Sequence, residues 1–374
     1  MRRSAVTRAA VVALALAACT EGGAPVAPEA PDFARGAQAP IYLVTFRDDV
    51  TDVRAVAGEL SRARGFALRF VREHAARGFS AVIPDPIAAA LRTDPRVLII
   101  ERDGPVSLVR PIEVAARRGG GGGGQTTPWG ITRVGGFGDG TGKTAWIIDT
   151  GIDLDHPDLN TSRSCHAAFN GSSPDDQNGH GTHVAGTIAA KHNTSGVVGV
   201  AANAYVCAVR VLGANGSGTW EQVTNGVDYV AANGASGDVA NMSLGGSGSN
   251  ATLEQAVRDA AATGVRFTIS AGNSGANAAN YTPARVNANN VYTISAIDNK
   301  DCMPSWSNWG NPPVDYAAPG VGVLSTYKGG GTKSLSGTSM ASPHVAGILL
   351  LGNVSTGGSA QCDRDGSADP IAHR

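Results

Sequence analysis

The sequence lacks an excess of charge of either sign. Its 374 residues include 30 Lys and Arg against 31 Asp and Glu, which gives a formal net charge of −1. Nothing in this balance indicates a surface for nucleic acid or for an anionic membrane. Charged residues make up 16% and hydrophobic residues 42% of the chain, proportions that are ordinary for a globular protein. The length allows two domains, or one large domain with additional segments.

Long hydrophobic runs and internal repeats are also missing. No repeat of 20–50 residues is visible. The apolar run at residues 9–18 is too short to cross a bilayer, and no other stretch is long and apolar enough. Because Arg2, Arg3 and Arg8 accompany it, this run has the layout of a bacterial export signal. We therefore expect residues 1–18 to be a signal peptide and the protein to be exported.

The signal ends in the letters L-A-A-C at residues 16–19, which resemble the bacterial lipobox. On this interpretation Cys19 carries a lipid, becomes the first residue, and anchors the precursor to the cell envelope. The alternative is an ordinary signal peptide followed by a chance cysteine.

Cysteine is scarce, with five residues in the whole chain. Apart from Cys19, four remain, an even number that permits disulfides in an exported protein. Four cysteines allow three pairings. We favour Cys165 with Cys207 and Cys302 with Cys362, because the members of each pair are close in sequence. The alternative is that all four are free, buried thiols.

Composition and periodicity divide residues 19–126 into three segments: a tether, a small domain and a linker. Residues 19–39 are rich in Ala, Pro, Gly and Glu and lack apolar periodicity, which predicts a disordered tether. Residues 40–103 show the order β-α-β-β-α-β, which is typical of a small ferredoxin-like α+β domain, placed here at 40–109. Residues 110–126 include six consecutive glycines at 119–124, which predicts an exposed, flexible linker that is prone to proteolysis.

Residues 127–374 form a second, larger domain. Alternating strand and helix patterns predict an α/β fold with a parallel sheet and helices on both faces. The predicted strands lie at residues 144–149, 206–212, 239–244, 265–270 and 291–296. The predicted helices lie at residues 180–191, 220–232 and 253–263, and another follows Ser339 through Leu351.

Two polar motifs lie where such a fold places its sites, at strand and helix ends. Asp149 ends a buried strand in I-I-D-T-G, and His180 opens a helix in H-G-T-H-V. A carboxylate in this position orients an imidazole and stabilises its cation. Taken alone, Asp149 is more simply a polar residue at a strand-to-loop junction.

Two further motifs supply a nucleophile and a donor. Ser339, in S-G-T-S-M-A, lies where a loop becomes an apolar helix, and a helix N-terminus favours a developing negative charge. Asn273, in A-G-N-S-G, follows a strand and carries an amide that can donate to an oxyanion. The alternatives are a helix N-cap for Ser339 and an ordinary turn for Asn273.

Other polar residues near these motifs are expected to be structural. His183 follows His180 by three residues, but the helix lacks the H-E-x-x-H arrangement, so we expect no zinc site. We expect His183 to be a hydrogen-bonded core histidine, and Ser342 and His344 to be structural as well.

Together and in this order, the motifs resemble the signature blocks of subtilisin-like serine proteases, and of the proteinase K branch in particular. The similarity covers residues 127–352, and residues 40–103 are similar to the inhibitor-type propeptide of that family. The resembling blocks are I-D-T-G at 148–151, H-G-T-H at 180–183, N-M-S-L-G-G at 241–246, A-G-N at 271–273 and G-T-S-M-A at 337–341.

The resemblance implies a catalytic role for four residues. Ser339 is then the nucleophile, His180 the general base and acid, Asp149 the orienting carboxylate, and Asn273 part of the oxyanion hole. It also implies protein or peptide substrates, a monomer, and no cofactor for catalysis.

The resemblance further implies where substrate binds. Two segments that face each other, Ser243-Leu244-Gly245 and Gly216-Ser217-Gly218, pair with an extended substrate backbone, and this mode gives broad specificity. Trp220 lines an outer apolar subsite. Ser270, Ala271 and Gly272 form the wall of the primary pocket. Because no charged residue lies in these lining blocks, we expect apolar or aromatic residues before the cut.

A structural calcium ion is a further implication of the resemblance. Asp315 aligns with a carboxylate ligand of the proteinase K branch, with carbonyls expected from residues 287–289. The loop between them has a different length here, so those carbonyl ligands are not assigned. The tail at residues 363–369 is acidic and contains a glycine, as calcium-binding loops do, but it lacks the full twelve-residue motif. We therefore favour a solvated tail.

The resemblance finally implies a precursor that cuts itself between about residues 109 and 125. The small domain then acts as a folding helper and temporary inhibitor, and a lipid on Cys19 stays with it when the mature enzyme is released. Two alternatives remain open. One is a non-catalytic homologue that serves as a binding module, and the other makes residues 40–103 a protease inhibitor with the large domain as scaffold.

Overall fold

The computed structural model describes residues 39–109 and 124–374. Several predictions lie outside the described residues: the signal peptide, lipidation of Cys19, the tether up to residue 38 and residues 110–123 of the linker. Among the helices that are described, none has both the length and the apolar character needed to cross a membrane.

The small N-terminal domain is a four-stranded antiparallel sheet with two helices. Its first helix begins where the Asp52 side chain accepts a hydrogen bond from the Ala55 N–H and ends at Gly65, whose φ of 71° suits glycine. The strand order is β2-β3-β1-β4, and the element order matches the sequence pattern. Its elements are β1 (Ile41–Phe46), α1 (Val53–Arg64), β2 (Ala67–Arg72), β3 (Gly78–Val82), α2 (Asp85–Leu91) and β4 (Val97–Arg102).

The large domain is built on a nine-stranded sheet in which only the outermost pair is antiparallel. The strand order is β20-β21-β17-β16-β14-β12-β7-β10-β8, and the predicted α/β fold is therefore confirmed. The strands are β7 (Thr144–Asp149), β8 (Ala167–Ala168), β10 (Tyr205–Arg210), β12 (Val239–Met242), β14 (Arg266–Ser270), β16 (Val291–Ile297), β17 (Val314–Pro319), β20 (Ser355–Ser359) and β21 (Pro370–His373).

Helices cover both faces of this sheet because its central strands are apolar on both sides. In β7, Trp146 and Ile148 pack into one hydrophobic cluster with α5 and α6, whereas Ala145 and Ile147 pack into another with α4 and α7. The helices are α3 (Trp129–Arg133), α4 (His180–Ala189), α5 (Trp220–Asn233), α6 (Ala251–Ala262) and α7 (Thr338–Leu351), with a 3₁₀ turn at Ala278–Asn280.

A separate small sheet joins the two domains. Its order is β11-β5-β13-β15, so the last strand of the small domain lies between two segments of the large one. Sequence patterns did not predict β5 as a strand. The remaining strands are β5 (Pro105–Leu108), β6 (Gly138–Asp139), β9 (Ala201–Ala202), β11 (Ser217–Thr219), β13 (Leu244–Ser247), β15 (Tyr281–Thr282), β18 (Val323–Tyr327) and β19 (Gly331–Leu335).

Carboxylates of the small domain contact the helices α5 and α6 at their first residues. Glu101 accepts hydrogen bonds from the Ala251 and Thr252 N–H groups at the start of α6. Asp103 accepts one from the Glu221 N–H at the start of α5. Negative charge at a helix N-terminus is stabilising, so these contacts favour docking of the small domain.

Disulfides link Cys165 to Cys207 and Cys302 to Cys362, the pairing favoured from the sequence. The second bond attaches the C-terminal hairpin β20–β21, whose strand β21 pairs with β17 at the sheet edge. The prediction of a solvated acidic tail is wrong for Asp369, which is 1% exposed and bonds to the Ser295 hydroxyl. Burial raises the pKa of Asp369 to about 6.

Candidate active site

Asp149 and His180 meet at the carboxyl end of β7. Asp149 is the last residue of that buried strand and His180 the first of α4, and both are almost fully buried. His180 Nδ1 lies 2.8 Å from Asp149 Oδ1 and 3.0 Å from Oδ2. Glycine is needed next to them, since a Cβ on Gly181 would lie 2.1 Å from the Gly151 carbonyl oxygen. The contact between Asp149 and His180 Nδ1 holds the imidazole in one orientation, with Nε2 on the side that faces away from Asp149.

Ser339 is the second residue of α7 and is fully buried in this structure. Its hydroxyl lies 3.1 Å from the Val109 carbonyl oxygen and 3.3 Å from that of Ser243. Within the described residues, His180 Nε2 is buried and has no hydrogen-bond partner. No hydrogen bond joins Ser339 to His180 here, because the Ser339 hydroxyl donates to backbone carbonyls.

Asn273 is held against the start of the same helix. Its Oδ1 accepts hydrogen bonds from the Thr338 N–H and from the Thr338 hydroxyl, each at 2.9 Å. The Thr338 hydroxyl in turn accepts from the Gly272 N–H. Because the amide oxygen is fixed from one side, the direction of the amide nitrogen is fixed as well.

The strand β5 occupies the cleft between the two segments predicted to bind substrate. Ser107 pairs with Gly245 on one side and with Ser217 on the other. The Leu108 N–H donates to the Gly216 carbonyl at 2.9 Å. A Cβ on Gly216, whose φ is 75°, would lie 2.7 Å from a methyl carbon of Leu108. Residues 105–109 therefore run through the cleft as an added strand that ends at Ser339.

Two pockets flank this strand. The first, of about 460 Å³, is lined by Val109 and by the predicted wall residues Ser270, Ala271 and Gly272, and no charged residue is among its described lining. The second, of about 390 Å³, is lined by Val106 and by Trp220, whose role in an outer apolar subsite remains a prediction. Leu244 and Gly245 line the first pocket, and Gly245 also reaches the second.

The remaining polar residues of the motifs are structural, as expected. His183 is fully buried, and its Nε2 contacts the Val323 and Lys333 carbonyl oxygens. Burial lowers the pKa of His183 to about 3, so it stays neutral. The Ser342 hydroxyl donates to Asn241, and His344 Nδ1 contacts the Met340 carbonyl inside α7.

Asp315 remains a prediction as a calcium ligand. Its Oδ2 accepts from the Thr293 N–H, and burial raises its pKa to about 6. Among residues 39–109 and 124–374, no three or more His, Cys, Asp or Glu side chains cluster in a way that would hold a metal. A calcium site built on a single carboxylate takes its other ligands from carbonyl and amide oxygens and from water.

Such a group of oxygens surrounds Gln125, which the sequence did not indicate. Gln125 Nε2 lies 2.7–3.4 Å from four oxygens, although an amide nitrogen carries two hydrogens and can satisfy two of them. The buried Asp158 carboxylate accepts from the Asn193 amide and the Val197 N–H beside them. A Cβ on Gly196 would meet Asp158 at 2.4 Å. The four oxygens belong to the Lys191, Ser195 and Val197 carbonyls and the Asn193 side chain.

Comparison with known proteins gives consistent matches. The model of the subtilase peptidase family matches residues 140–352. Subtilisin Savinase of Lederbergia lenta is 46% identical over 233 residues, which are 61% of this chain and 84% of the relative. An alkaline protease of Alkalihalobacillus alcalophilus is 43% identical over 268 residues, 70% of this chain and 65% of the relative. The chain thus spans slightly less than two thirds of that alkaline protease's length.

Solved structures agree with these matches. A crystal structure of a cold-adapted subtilisin-like serine proteinase has a TM-score of 0.56 and 39% sequence identity, and the match covers 63% of this chain and 89% of that one. The family model and the relatives together show that the chain belongs to the subtilase family.

Proposed function

We propose that the protein is a serine endopeptidase that uses Asp149, His180 and Ser339 as its catalytic triad. The observation that carries the proposal is the end of the bound strand β5, where the Val109 carbonyl lies 3.1 Å from the Ser339 hydroxyl. An extended peptide thus places a backbone carbonyl next to the nucleophile. The buried His180, hydrogen-bonded to Asp149, can act as the base.

The reaction proceeds by acyl transfer. Ser339 Oγ attacks the carbonyl carbon while His180 Nε2 takes its proton, and Asp149 stabilises the imidazolium. The resulting oxyanion is stabilised by the Ser339 N–H at the start of α7 and by the Asn273 amide. The C–N bond then breaks as His180 returns the proton to the amine. Water repeats the sequence to hydrolyse the acyl-enzyme and release Ser339.

The substrates are extended, unfolded or loop segments of proteins. Backbone pairing with β11 and β13 recognises any sequence, which favours broad specificity. The absence of charge from the described lining of the first pocket favours an apolar or aromatic residue before the cut.

The chain is made as a precursor that cuts itself. The contact between the Val109 carbonyl and the Ser339 hydroxyl supports self-cleavage. It favours the Val109–Arg110 bond within the broader interval that the sequence predicts. The small domain is then both a docked helper for folding and an inhibitor whose last five residues fill the cleft. Export by the N-terminal signal and lipidation of Cys19 belong to the same proposal.

A structural calcium ion binds at the oxygens around Gln125. The side chains of Gln125, Asn193 and Asp158, with the carbonyls of residues 191, 195 and 197, match the all-oxygen coordination that calcium prefers. When bound, the ion neutralises the buried Asp158 and fixes the loop to the start of the domain. Asp315 is kept as a second candidate ligand.

Kinetics of peptide hydrolysis test the activity, with each triad variant first cut in trans by immobilised wild-type enzyme so that the small domain no longer blocks the cleft. We expect Ser339→Ala and His180→Ala to abolish turnover, and Asp149→Asn to lower kcat about 10⁴-fold because the amide favours the wrong imidazole tautomer. Ser342→Ala, one turn along the same helix, is the control and keeps activity. Unchanged turnover in Ser339→Ala would refute the proposal, and the absence of turnover in the unmodified protein would favour a non-catalytic homologue.

Intact-mass analysis of the products tests the cut. The first large product should begin at Arg110 and the small one end at Val109. Val109→Asp should block this product, whereas Val114→Asp in the linker should not. A first cut at another bond with Val109 intact would contradict the assignment.

A further inference from the structure

The C-terminal hairpin β20–β21 carries a buried carboxylate that is only half satisfied. Asp369, which directly precedes β21, is 1% exposed, and its Oδ2 accepts a hydrogen bond from the Ser295 hydroxyl. Its Oδ1 is also buried and has no hydrogen-bond partner among the described residues. A buried carboxylate oxygen without a partner is costly, because it has lost its hydration and gained nothing in return. Asp369 Oδ1 is therefore an atom to which a cation would bind favourably.

Two further acids of the same hairpin lie close to Asp369. Asp363 Oδ2 accepts a hydrogen bond from the Asp369 N–H at 3.1 Å. Burial raises the pKa of Asp369 most, and the negative charges of Asp363 and Asp365 raise it further. No Lys, Arg or His of the part of the chain that the structure describes forms an ion pair with any of these three acids. Negative charge thus accumulates around the unpaired oxygen, and no cationic side chain offsets it.

The loop that holds these acids has the spacing of a calcium loop. In D-R-D-G-S-A-D, residues 363–369, two acids alternate, a glycine follows, and a third acid comes three residues after the glycine. The middle of an EF-hand loop has the same order, with a backbone carbonyl as the ligand directly after the glycine. Here that carbonyl belongs to Ser367, and Gly366 makes the sharp turn with a φ of 81°. The side chain of Asn311 lies against the loop, since its amide nitrogen donates to the Ser367 carbonyl at 2.8 Å.

We propose that this hairpin binds a calcium ion between Asp369 Oδ1 and the Asp363 carboxylate. Because no three acids of the described residues converge on one point, carbonyl, amide and water oxygens complete the coordination. The ion neutralises the buried charge and holds β21 against β17. The family model ends at residue 352, so the site belongs to a segment outside the matched part of the chain. It is independent of the Gln125 site and of the proposed peptidase activity.

The first test counts bound ions in the full chain with Ser339→Ala, which does not cut itself. Metal is removed with a chelator, and Ca²⁺ is then added back in competition with a chromophoric chelator. We expect Asp363→Asn to bind one ion fewer than the parent, or to bind that ion at least about tenfold more weakly. Asp48→Asn, which changes an exposed acid of the small domain, should bind Ca²⁺ as the parent does.

Hydrogen exchange then locates the ion. In the parent, Ca²⁺ should slow amide exchange in residues 355–373, and Asp363→Asn should lose this protection. Gln125→Ala changes the other proposed site and should keep it. Protection that is lost in Gln125→Ala but kept in Asp363→Asn would assign the effect to the other site and overturn the proposal.

A second variant and a second ion complete the test. Asp369→Asn, which alters the buried ligand directly, should lose the same ion as Asp363→Asn. Ion counts and exchange rates that match the parent in both variants would overturn the proposal. Equal protection by Mg²⁺ at the same concentration would overturn the assignment of calcium, because Mg²⁺ demands a more regular and more hydrated site.

Discussion

The residue before the cut offers a direct quantitative test of the cleft. About 460 Å³ of uncharged space remains beside Val109, so this side chain does not fill the pocket. A peptide that copies residues 105–109, with a chromogenic amine after it, presents the same strand to the enzyme. Replacing the residue that corresponds to Val109 then changes only what enters the first pocket.

The expected magnitudes follow from apolar burial. A buried methylene contributes about 0.8 kcal/mol, so Leu in place of Val should raise kcat/KM about fourfold and Ala should lower it about 15-fold. Phe has four more side-chain carbons than Val. If each contributes about half as much as a methylene, Phe should raise kcat/KM about 15-fold relative to Val. Lys should be poorer than Ala, because its ammonium meets no carboxylate in the described lining of the pocket.

Initial rates at substrate concentrations well below KM give kcat/KM for the whole series. The control changes the residue that corresponds to Pro105, which lies outside this pocket, and should alter kcat/KM less than about twofold. A profile dominated by Lys or Arg would refute the reasoning. So would a peptide ending in Val that is cut faster than both the Leu and the Phe peptides.

Three further predictions concern the oxyanion donor, the docking contacts and the tail. Asn273→Ala should lower kcat about 10²–10³-fold with little change in KM, the usual cost of such a donor; a change confined to KM would contradict it. Glu101→Gln should release the cleaved small domain about fivefold faster, seen as earlier onset of activity, while Glu59→Gln should not. Because the folded pKa of Asp369 is raised to about 6, stability falls as pH rises from about 4 to about 6. In the Ser339→Ala background, Asp369→Asn should reduce that fall in Tm, and an unchanged profile would contradict it.

Most of the fold could be predicted from the sequence because strands and helices leave local patterns in it. Buried strands and amphipathic helices have distinct periods, and the motif residues sit at their ends. The predicted strand at 239–244 shows the limit of such patterns. It breaks at Ser243, whose carbonyl accepts a hydrogen bond from the Ser339 hydroxyl, and β13 then continues along the cleft.

The parts that escaped prediction depend on backbone groups or on distant partners. The oxygens around Gln125 are mostly carbonyls, which carry no sequence signal; only the polar residue directly after the glycine run was available as a clue. The composition of β5 does not predict a strand. It is a strand because two segments of the large domain pair with it. Asp369 is buried by a hairpin that a disulfide attaches.

Mass-spectrometric location of a fluorophosphonate adduct tests the central claim most directly. The probe reacts with an activated serine, and the account predicts a single adduct on Ser339 in the mature enzyme. It also predicts that the adduct is lost in His180→Ala that has been cut in trans by immobilised wild-type enzyme, because this variant has an open cleft but lacks the base. An adduct on another serine, or full labelling of Ser339 in His180→Ala, would contradict the account.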